Sequence, residues 1–329
     1  MSIWAGNLIV GMPEILASLK AAGETTRLRL LALCAEGELT VSELTRILGQ
    51  SQPRVSRHLK LLCDAGLLDR AREGSSVFYG LAQRGDGAHI ARALLALLPR
   101  DDSLFMRDRQ RLSSVAEERR DSAARYFREN AEKWDAVRSL YVDEAEVERA
   151  MLGLVQAPEG AELIDVGTGT GRMLNVLAPK VRHAVGVDLS REMLAMARAN
   201  LERAHLGNCV VRQADMYNLP FAPASFDIAT IHQVLHFADR PADVVAEAAR
   251  VLKPGGQMLI VDFAPHDLEY LREEHAHRRL GFSDGQVRDW CQGAKLDLIE
   301  TARLDGDPLT VCIWQARAVD AARRVEKAA

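Results

Sequence analysis

Three glycines at alternate positions, Gly167, Gly169 and Gly171, directly follow the mostly apolar stretch 163–166. Because glycine has no Cβ, such a run lets the backbone turn sharply between a strand and a helix and approach a ligand closely. An acid, Asp188, ends a second apolar stretch 21 residues after the first glycine. Its carboxylate can accept hydrogen bonds from both hydroxyls of a ribose. This combination predicts a site for a nucleotide-type cofactor.

The spacing of the glycines separates two folds that use this arrangement. Dinucleotide-binding Rossmann folds carry GxGxxG. Residues 165–171 read DVGTGTG, which resembles the D/E-x-GxGxG motif of class I S-adenosylmethionine (SAM) methyltransferases. In that family the acid corresponding to Asp165 helps to hold the glycine loop and faces the methionine end of SAM. The resemblance therefore implies SAM, or its product S-adenosylhomocysteine (SAH), as the cofactor.

Later segments follow the order of the same family. Asp215 corresponds to the acid that accepts from the adenine amino group, and the next residue, Met216, packs on the ring. Ile231 and His232 lie where strand four ends, facing the sulfonium and the acceptor. Tyr126 belongs to a segment that folds over SAM in small-molecule methyltransferases, together with Phe127, Trp134 and Asp135, for which helix-to-sheet packing is the alternative. The cofactor contacts implied by the resemblance are Asp165, Gly167, Thr168, Gly169, Gly171, Asp188, Leu189, Asp215, Met216, Ile231, His232 and Tyr126.

The resemblance spans residues 120–318 and is greater to methyltransferases of ubiquinone biosynthesis than to those of nucleic acids. The segments KLDLIETARL and PLTVCIWQARA alternate like two strands separated by DGDP, and this predicts the antiparallel pair that closes the fold. Neither an NPPY-type nor a PC-type motif follows strand four, which argues against methylation of a DNA base.

Histidines are the candidate catalytic bases. His232 and His236 flank the predicted end of strand four, and His266, His275 and His277 follow strand five, so five of the nine histidines lie in these two regions. A surface or capping role is the alternative for each of them. Methyl transfer needs mainly in-line positioning, and a base is required only when the acceptor carries a proton.

Residues 24–82 resemble the winged helix-turn-helix of ArsR-type repressors. TTRLRLLALCAEG predicts one helix, and ELTVSELTRIL predicts a short strand and a second helix that Gly49 ends. QPRVSRHLKLLCDAGL predicts the recognition helix, in which Val55, Leu59 and Leu62 pack inward. LLDRAREGSSVFYGLA predicts a two-stranded wing about the turn EGSS. A protein-interaction module is the alternative for such a shape.

An outward helix face of arginine, serine and glutamine suits reading of the major groove. Arg54, Arg57 and His58 are the first candidates, and Arg70, Arg72 and Ser75 of the wing are placed to lie along phosphates. The predicted DNA contacts are Gln52, Arg54, Ser56, Arg57, His58, Lys60 and Arg72.

No metal site is predicted. Thr40 and Ser42 occupy the positions of the Cys-x-Cys pair of metal-sensing ArsR relatives, and hydroxyls are poor ligands for soft ions. Asp86 and His89 do not have the spacing of the zinc sites of other relatives. Cys34 and Cys63 are expected to be buried thiols. The remaining cysteines form no paired motif, which disfavours the thiolate chemistry of arsenite-methylating relatives; they are Cys209, Cys291 and Cys312.

Charge distribution limits where DNA can bind. The 329 residues carry a net charge of −4, but residues 1–100 hold 12 Lys+Arg against 9 Asp+Glu, which is +3. Only this third can face DNA. Because +3 is modest, a homodimer is expected to double the phosphate contacts, with residues 88–99 as the dimer helix or, alternatively, as part of the domain core. Unpatterned cysteines and the lack of an apolar run near 18 residues predict a cytoplasmic protein without a membrane partner.

The predicted fold class is α/β, with a mostly α-helical winged helix-turn-helix that carries a β-wing, a helical connector and a seven-stranded Rossmann-like methyltransferase sheet. The predicted domains are 1–100, 101–155 and 156–318, followed by a tail at 319–329. Two functions remain open. The chain is either a regulator that uses the methyltransferase fold to bind SAM or SAH as an effector, or a working methyltransferase of a small molecule that also binds an operator in double-stranded DNA.

Overall fold

The computed structural model describes residues 10–82, 84–99, 101–130 and 143–319. The chain divides into two compact units, Met1–Arg120 and Asp121–Ala329. The boundary lies inside the predicted connector, within a helix. Trp134 and Asp135, which the resemblance placed over the cofactor, lie outside the described residues.

The first unit consists of short helices and a small antiparallel sheet with the strand order β1-β3-β2. Its elements are α1 Met12–Ala22, α2 Thr25–Ala35, β1 Leu39–Thr40, α3 Val41–Leu48, α4 Gln52–Asp64, β2 Leu68–Glu73, β3 Ser76–Leu81, α5 Gly85–Leu97 and the start of α6 Ser103–Asn130. Helix α4 takes the place of the predicted recognition helix, and β2 and β3 form the predicted wing.

Local sequence signals set the limits of helix α3. The Thr40 hydroxyl accepts from the backbone N–H of Glu43, while the Glu43 carboxylate accepts from the N–H of Thr40, which completes a capping box. Gly49 ends the helix in the left-handed conformation, with φ at 65°, which glycine adopts at little steric cost. In helix α4, Val55, Leu59 and Leu62 are completely buried, as their spacing predicts.

The first part of helix α6 is held against the core of the first unit. The Arg29 guanidinium donates to both carboxylate oxygens of Asp108, at 2.6 and 2.7 Å, and this carboxylate is only 2% exposed. Arg111 donates to the carbonyl of Ile47 at 2.9 Å, and Val115 is buried in the same hydrophobic cluster as Leu59. The first part of this helix is therefore packed into the first unit and is not a free linker.

The second unit is a seven-stranded sheet with the strand order β6-β5-β4-β7-β8-β10-β9. Its strands are β4 Glu162–Val166, β5 His183–Asp188, β6 Cys209–Gln213, β7 Phe226–His232, β8 Leu252–Phe263, β9 Leu296–Leu304 and β10 Val311–Ala318. Its helices are α7 Glu144–Leu154, α8 Arg172–Leu177, α9 Arg191–Arg203, α10 Pro241–Val251, α11 Tyr270–Glu274 and α12 Asp284–Gly293. Among the described residues, no helix is both long and apolar enough to cross a membrane.

Hydrophobic clusters cover both faces of this sheet. On β4, Ile164 and Val166 belong to one cluster and Leu163 belongs to the other, because successive side chains of a strand point to opposite faces. Strands β4 to β8 are parallel to one another, and β10 is antiparallel to β8 and β9. The predicted antiparallel pair, which forms β9 and β10, is therefore present.

The order of the strands places a crevice between β4 and β7. From β4 the chain continues to β5 and β6 on one side, and it then returns to β7 and β8 on the other. At such a switch point the loops after the two central strands diverge, and ligands bind at the carboxyl ends of these strands. The glycine loop follows β4 and the segment 233–237 follows β7, so both predicted site segments lie at this crevice.

Replacement of Asp108 by alanine is expected to destabilise the first unit, because it leaves the largely buried Arg29 guanidinium without its carboxylate. The expected loss in the free energy of unfolding is about 3 kcal/mol. Urea unfolding of the full chain measures the loss, and hydrogen exchange of α2 and α6 locates it. Glu118→Ala is the control, because it removes an exposed ion pair with Arg46 and should change little. Equal effects of the two variants would contradict this account of the α6 contact.

Candidate functional site

The glycine loop after β4 has the backbone that its sequence predicts. Gly167, Gly169 and Gly171 all have positive φ, at 73°, 51° and 80°, where side chains with a Cβ are strained. A Cβ on Gly167 would also lie 2.5 Å from Cγ2 of Val234, on the loop after β7. Two constraints therefore favour glycine in this loop, namely the positive φ angles and the close approach of Val234 to Gly167.

The carboxylate of Asp188 lies against this loop. It accepts from the backbone N–H of Gly169 at 2.9 Å and from that of Ser190 at 2.8 Å. Burial raises the pKa of Asp188, and these backbone donors lower it again in part. The two predicted elements of the cofactor site, separated by a helix in the sequence, are thus joined by a hydrogen bond.

Residues at the glycine loop fit an adenosyl amino-acid ligand. The Thr168 hydroxyl is buried and has no hydrogen-bond partner among the described residues, which leaves it available to a polar ligand group. Leu189, next to Asp188, is an apolar side chain that is 56% exposed. A ribose would be held by Asp188, while Thr168 and the backbone of the glycine loop would hold the amino-acid end. When SAM is bound, its sulfonium supplies a methyl group activated for transfer.

Asp165 links the two strands that border the crevice. Its side chain is 2% exposed and accepts from the Thr230 hydroxyl at 2.6 Å, and these two residues are register partners on the parallel strands β4 and β7. This bond ties the two strands together at the switch point. Ile231, the next residue on β7, is completely buried, and His232 is partly buried at the end of the strand.

Asp215 and Met216 lie in the loop after β6. Asp215 is exposed, and its carboxylate accepts from the backbone N–H of Tyr217 at 2.9 Å. Met216 is partly buried and packs against one of the two hydrophobic clusters. Because β6 is parallel to β5, this loop and Asp188 lie at the same edge of the sheet.

His236 lies in a short 3-10 turn after β7 and is 3% exposed. Its Nδ1 lies 2.8 Å from Oδ1 of Asp262, near the end of β8. His277 stacks on its ring with the centroids 4.1 Å apart. Burial lowers the pKa of His277 well below its usual value and lowers the pKa of His266 to about 4. The structure therefore brings together His236 and His277, two of the five candidate histidines.

Tyr126 and His275 form a second contact at this edge. The Tyr126 hydroxyl lies 2.8 Å from Nδ1 of His275. Burial raises the pKa of Tyr126 to about 12, so the phenol keeps its proton at neutral pH. Phe127 packs edge-on against Phe237, with the ring centroids 4.8 Å apart. The last turns of α6 therefore contact the loops that follow β7 and β8.

Sequence reasoning missed Asp262 and Val234. Asp262 is a single acid in the otherwise apolar end of the segment QMLIVDF, and an acid in a buried strand is a signal that it has a partner. The position of Val234 against Gly167 has no comparable signal, because it depends on which strands are neighbours.

The first unit carries the candidate nucleic-acid interface. On α4, Gln52, Arg54, Arg57 and Lys60 are exposed, and Ser56 is partly exposed. On the wing, Arg70, Arg72 and Ser75 are exposed, and Arg72 donates to the carbonyl of Gly74 at 3.2 Å. These positions agree with the outward face expected of a recognition helix and a wing.

His58 differs from the other candidates for DNA contact. Its side chain is 13% exposed and its Nδ1 lies 3.7 Å from the Glu24 carboxylate. Burial lowers the pKa of His58, and Glu24 opposes this effect. The side chain thus lies toward the start of α2, while its neighbours Arg54 and Arg57 are exposed.

Among the described residues, no group of three or more His, Cys, Asp or Glu is arranged to hold a metal ion. The cysteines of the second unit lie on separate elements, namely Cys209 on β6, Cys291 on α12 and Cys312 on β10. Burial raises the pKa of each of these thiols to about 11. They are therefore poor sources of thiolate at neutral pH.

Both units match families of known proteins. Residues 24–70 match the family described as "Bacterial regulatory protein, arsR family", and residues 164–260 match the family described as "Methyltransferase domain". The winged helix-turn-helix and the seven-stranded sheet define a regulator-type domain joined to a methyltransferase-type domain. The chain is thus a fusion of an arsR-family domain and a methyltransferase domain. The match supports the predicted cofactor, SAM or SAH.

Individual relatives resemble mainly the second unit. The ubiquinone biosynthesis O-methyltransferase of Paracidovorax citrulli is 29% identical over 202 residues, which cover 56% of this chain and 84% of the relative. The arsenite methyltransferase of Aquipseudomonas alcaligenes is 33% identical over 159 residues, which cover 39% of this chain and 46% of the relative. The chain thus spans less than half of the arsenite enzyme.

A solved structure supports the fold of this unit. A chain in the complex between the Haloferax volcanii Trm112 methyltransferase activator and the putative methyltransferase is similar with a TM-score of 0.51 and 20% identity. The match covers 59% of this chain and 97% of that chain. At this identity the similarity concerns the fold alone.

Asp188→Ala is expected to weaken binding of SAH by about 1 to 3 kcal/mol, because charge-assisted bonds to the ribose are lost. Calorimetric titration measures the affinity. Asp188→Asn, which keeps an acceptor for the Gly169 N–H, separates the loss of charge from distortion of the loop. Because burial raises the pKa of Asp188, wild-type affinity should fall on acidification from a higher pH than for an ordinary aspartate. Unchanged affinity of the alanine variant would refute the assigned site.

Arg57→Ala is expected to weaken binding to the DNA upstream of the chain's own gene by about 1 to 3 kcal/mol. If Arg57 contacts a phosphate, the slope of log affinity against log salt also decreases by about 1. Fluorescence anisotropy over a range of salt concentrations measures both quantities. Arg198→Ala, an exposed arginine of α9 in the second unit, is the matched control. Equal affinities of the two variants would show that Arg57 does not contact the DNA.

Proposed function

We propose that the chain is an ArsR-type DNA-binding transcriptional regulator whose methyltransferase domain binds SAM or SAH as an effector. The main support for this proposal is the set of contacts that helix α6 makes in each unit. In the first unit, Asp108 of this helix is bound to Arg29. In the second unit, Tyr126 and Phe127 of the same helix contact His275 and Phe237.

The second set of contacts lies beside the glycine loop, where we propose that the cofactor binds. Phe237 follows His236 in the turn after β7, and that turn is adjacent to the glycine loop through Val234. A ligand that binds more tightly to one arrangement of these loops changes the environment of the last turns of α6. An effector acts in this way only through such a difference in affinity between two states.

A homodimer completes this proposal. Helices α1 and α5 pack together, and they expose large apolar side chains, with Met12 at 67%, Leu16 at 59% and Leu97 at 79% exposure. Exposed apolar side chains on packed helices are typical of an interface between proteins. A second copy of the chain that covers this face would double the contacts of α4 with a two-fold operator. Because DNA is the proposed partner, we expect the protein in the cytoplasm.

SAH is expected to change the affinity for the upstream DNA by about 5-fold or more, which is the usual lower range of allosteric coupling. Anisotropy titrations of the full chain with and without saturating SAH or SAM measure the effect. Unchanged DNA affinity with both ligands would contradict the effector role.

A pair of variants tests whether helix α6 transmits the effect of SAH on DNA affinity. Asp121 and Ser122 are exposed on this helix, and their joint replacement by glycine weakens the helix by about 1 kcal/mol per residue relative to alanine. The double glycine variant should bind SAH and DNA but lose most of the effect of SAH on DNA affinity. The double alanine variant is the control and should keep this effect. Equal coupling in both variants would exclude α6 as the carrier.

A second candidate function is methyl transfer to a small molecule. His236, supported by Asp262 at the switch point of the sheet, favours it, because a general base at this position would face an acceptor beside the cofactor. Both named relatives are methyltransferases. Incubation of the full chain with methyl-labelled SAM and a low-molecular-weight filtrate of the cells that express it tests this function. Label in a small molecule supports it, and absence of transfer contradicts it.

A further inference from the structure

The pair formed by His236 and Asp262 is held more firmly than a single ion pair. Oδ1 of Asp262 lies 2.8 Å from Nδ1 of His236, and Oδ2 accepts from the backbone N–H of His236 at 3.2 Å. Oδ1 also accepts from the backbone N–H of Phe263 at 2.8 Å. Asp262 is completely buried. Its three contacts fix both the carboxylate and the imidazole plane.

These contacts determine which nitrogen of His236 carries the proton. The two other hydrogen bonds of the Asp262 oxygens come from backbone N–H donors, and an ionised carboxylate acts only as an acceptor. Nδ1 therefore donates to it. In a neutral imidazole the other nitrogen is then the acceptor, so Nε2 of His236 carries the lone pair.

The register of the strands places this pair beside the cofactor loop. Ile231 of β7 is level with Val166 of β4 and with Ile260 of β8. Asp262 therefore lies two positions beyond that level, at the carboxyl edge where the glycine loop begins. Val234, two residues before His236, lies so close to Gly167 that a Cβ added there would be 2.5 Å from its Cγ2. The pair is thus at the switch point where this type of sheet binds its ligands.

The rings that pack on His236 are aromatic side chains. His277 stacks on it at 4.1 Å, and Phe237 and Phe263 lie 4.1 and 5.3 Å away between ring centroids. The lowered pKa values of His277 and His266 keep both imidazoles neutral at pH 7. Neither ring therefore carries a positive charge beside His236, and the Asp262 carboxylate lies 2.8 Å from its Nδ1.

We propose that Asp262 is a positioning residue that holds His236 in the Nδ1–H form, so that Nε2 accepts the proton of a methyl acceptor with an O–H or N–H group. This role rests on the second candidate function. The acceptor's O–H or N–H bond breaks and its proton passes to Nε2. The electron pair of the acceptor forms the bond to the methyl carbon, and the pair of the broken S–CH3 bond stays on sulfur. Acceptors without such a proton, such as sulfides, would not need this pair.

Nitrogen-15 NMR of the full chain labelled at histidine tests the positioning role without any turnover. In the presence of SAH, the His236 signals, assigned by their loss in His236→Gln, should show protonated Nδ1 and unprotonated Nε2. Asp262→Asn should shift the population toward the Nε2–H form, because an amide can donate to Nδ1. Asp227→Asn, the same change at the amino end of β7, where Asp227 binds Lys253, should leave the spectrum unchanged.

A predominant Nε2–H form in the wild type would overturn the proposal, and this result does not depend on whether the asparagine variant folds. Methyl transfer to the cell filtrate gives a separate readout. Asp262→Asn should lower the turnover number about tenfold or more while the KM for SAM stays the same, since general bases contribute about 10² to 10⁴. If the wild type shows the expected tautomer but transfers no label, the second candidate function fails and the base role fails with it. Equal turnover of wild type and Asp262→Asn would also refute the positioning role.

Discussion

The hydrogen bond from the Gly169 N–H to the Asp188 carboxylate joins the loop after β4 to the end of β5. It forms because the three alternate glycines adopt positive φ, which directs a backbone N–H toward the acid. Val234 lies so close to this loop that a Cβ on Gly167 would be 2.5 Å from its Cγ2. The shape of the cofactor crevice and the position of the turn that carries His236 therefore depend on one loop.

The parallel sheet provides the frame for this loop. The Thr230 hydroxyl donates to Asp165 across β4 and β7, and this bond holds the two strands from which the loops diverge. Both faces of these strands are covered by hydrophobic clusters, as is usual for parallel strands. Asp262 is buried in this frame, and burial of a carboxylate is tolerated only when it is well hydrogen-bonded. The three donors around it, two of them backbone N–H groups and the third the imidazole of His236, satisfy this condition.

Helix α6 belongs to the core of the first unit at its start and to the second unit at its end. Its Asp108 carboxylate is buried in the ion pair with Arg29. Separation of the start of the helix from the first unit would break this pair and is therefore unfavourable. Its aromatic residues Tyr126 and Phe127 contact the turns after β8 and β7. A helix with such contacts at both ends gives a physical basis for the proposed regulation, because it is shared by the DNA-binding domain and the domain that holds the cofactor.

The two-domain resemblance, the fold class and the cofactor were predictable from the sequence and are confirmed. Local signals can be recognised in the sequence because they act over a few residues. They are the glycine spacing, the acid at the end of β5 and the helix signals around α3 and α4. The roles of the predicted contact residues remain predictions, although Arg54 and Arg57 have the expected exposure. His58 shows the limit of such patterns, because helical period alone did not reveal that Glu24 lies beside it.

By itself, the sequence of this protein determined the two families that its domains match and the conformation of the glycine loop, because motif spacing and backbone preference are local properties. Only the tertiary structure decided that His236 pairs with Asp262 and that Tyr126 meets His275, contacts between residues 26 and 149 positions apart in the chain. Such contacts follow from the strand order and from the packing of α6. These arise from burial of apolar surface by the whole chain, a property that no short segment carries.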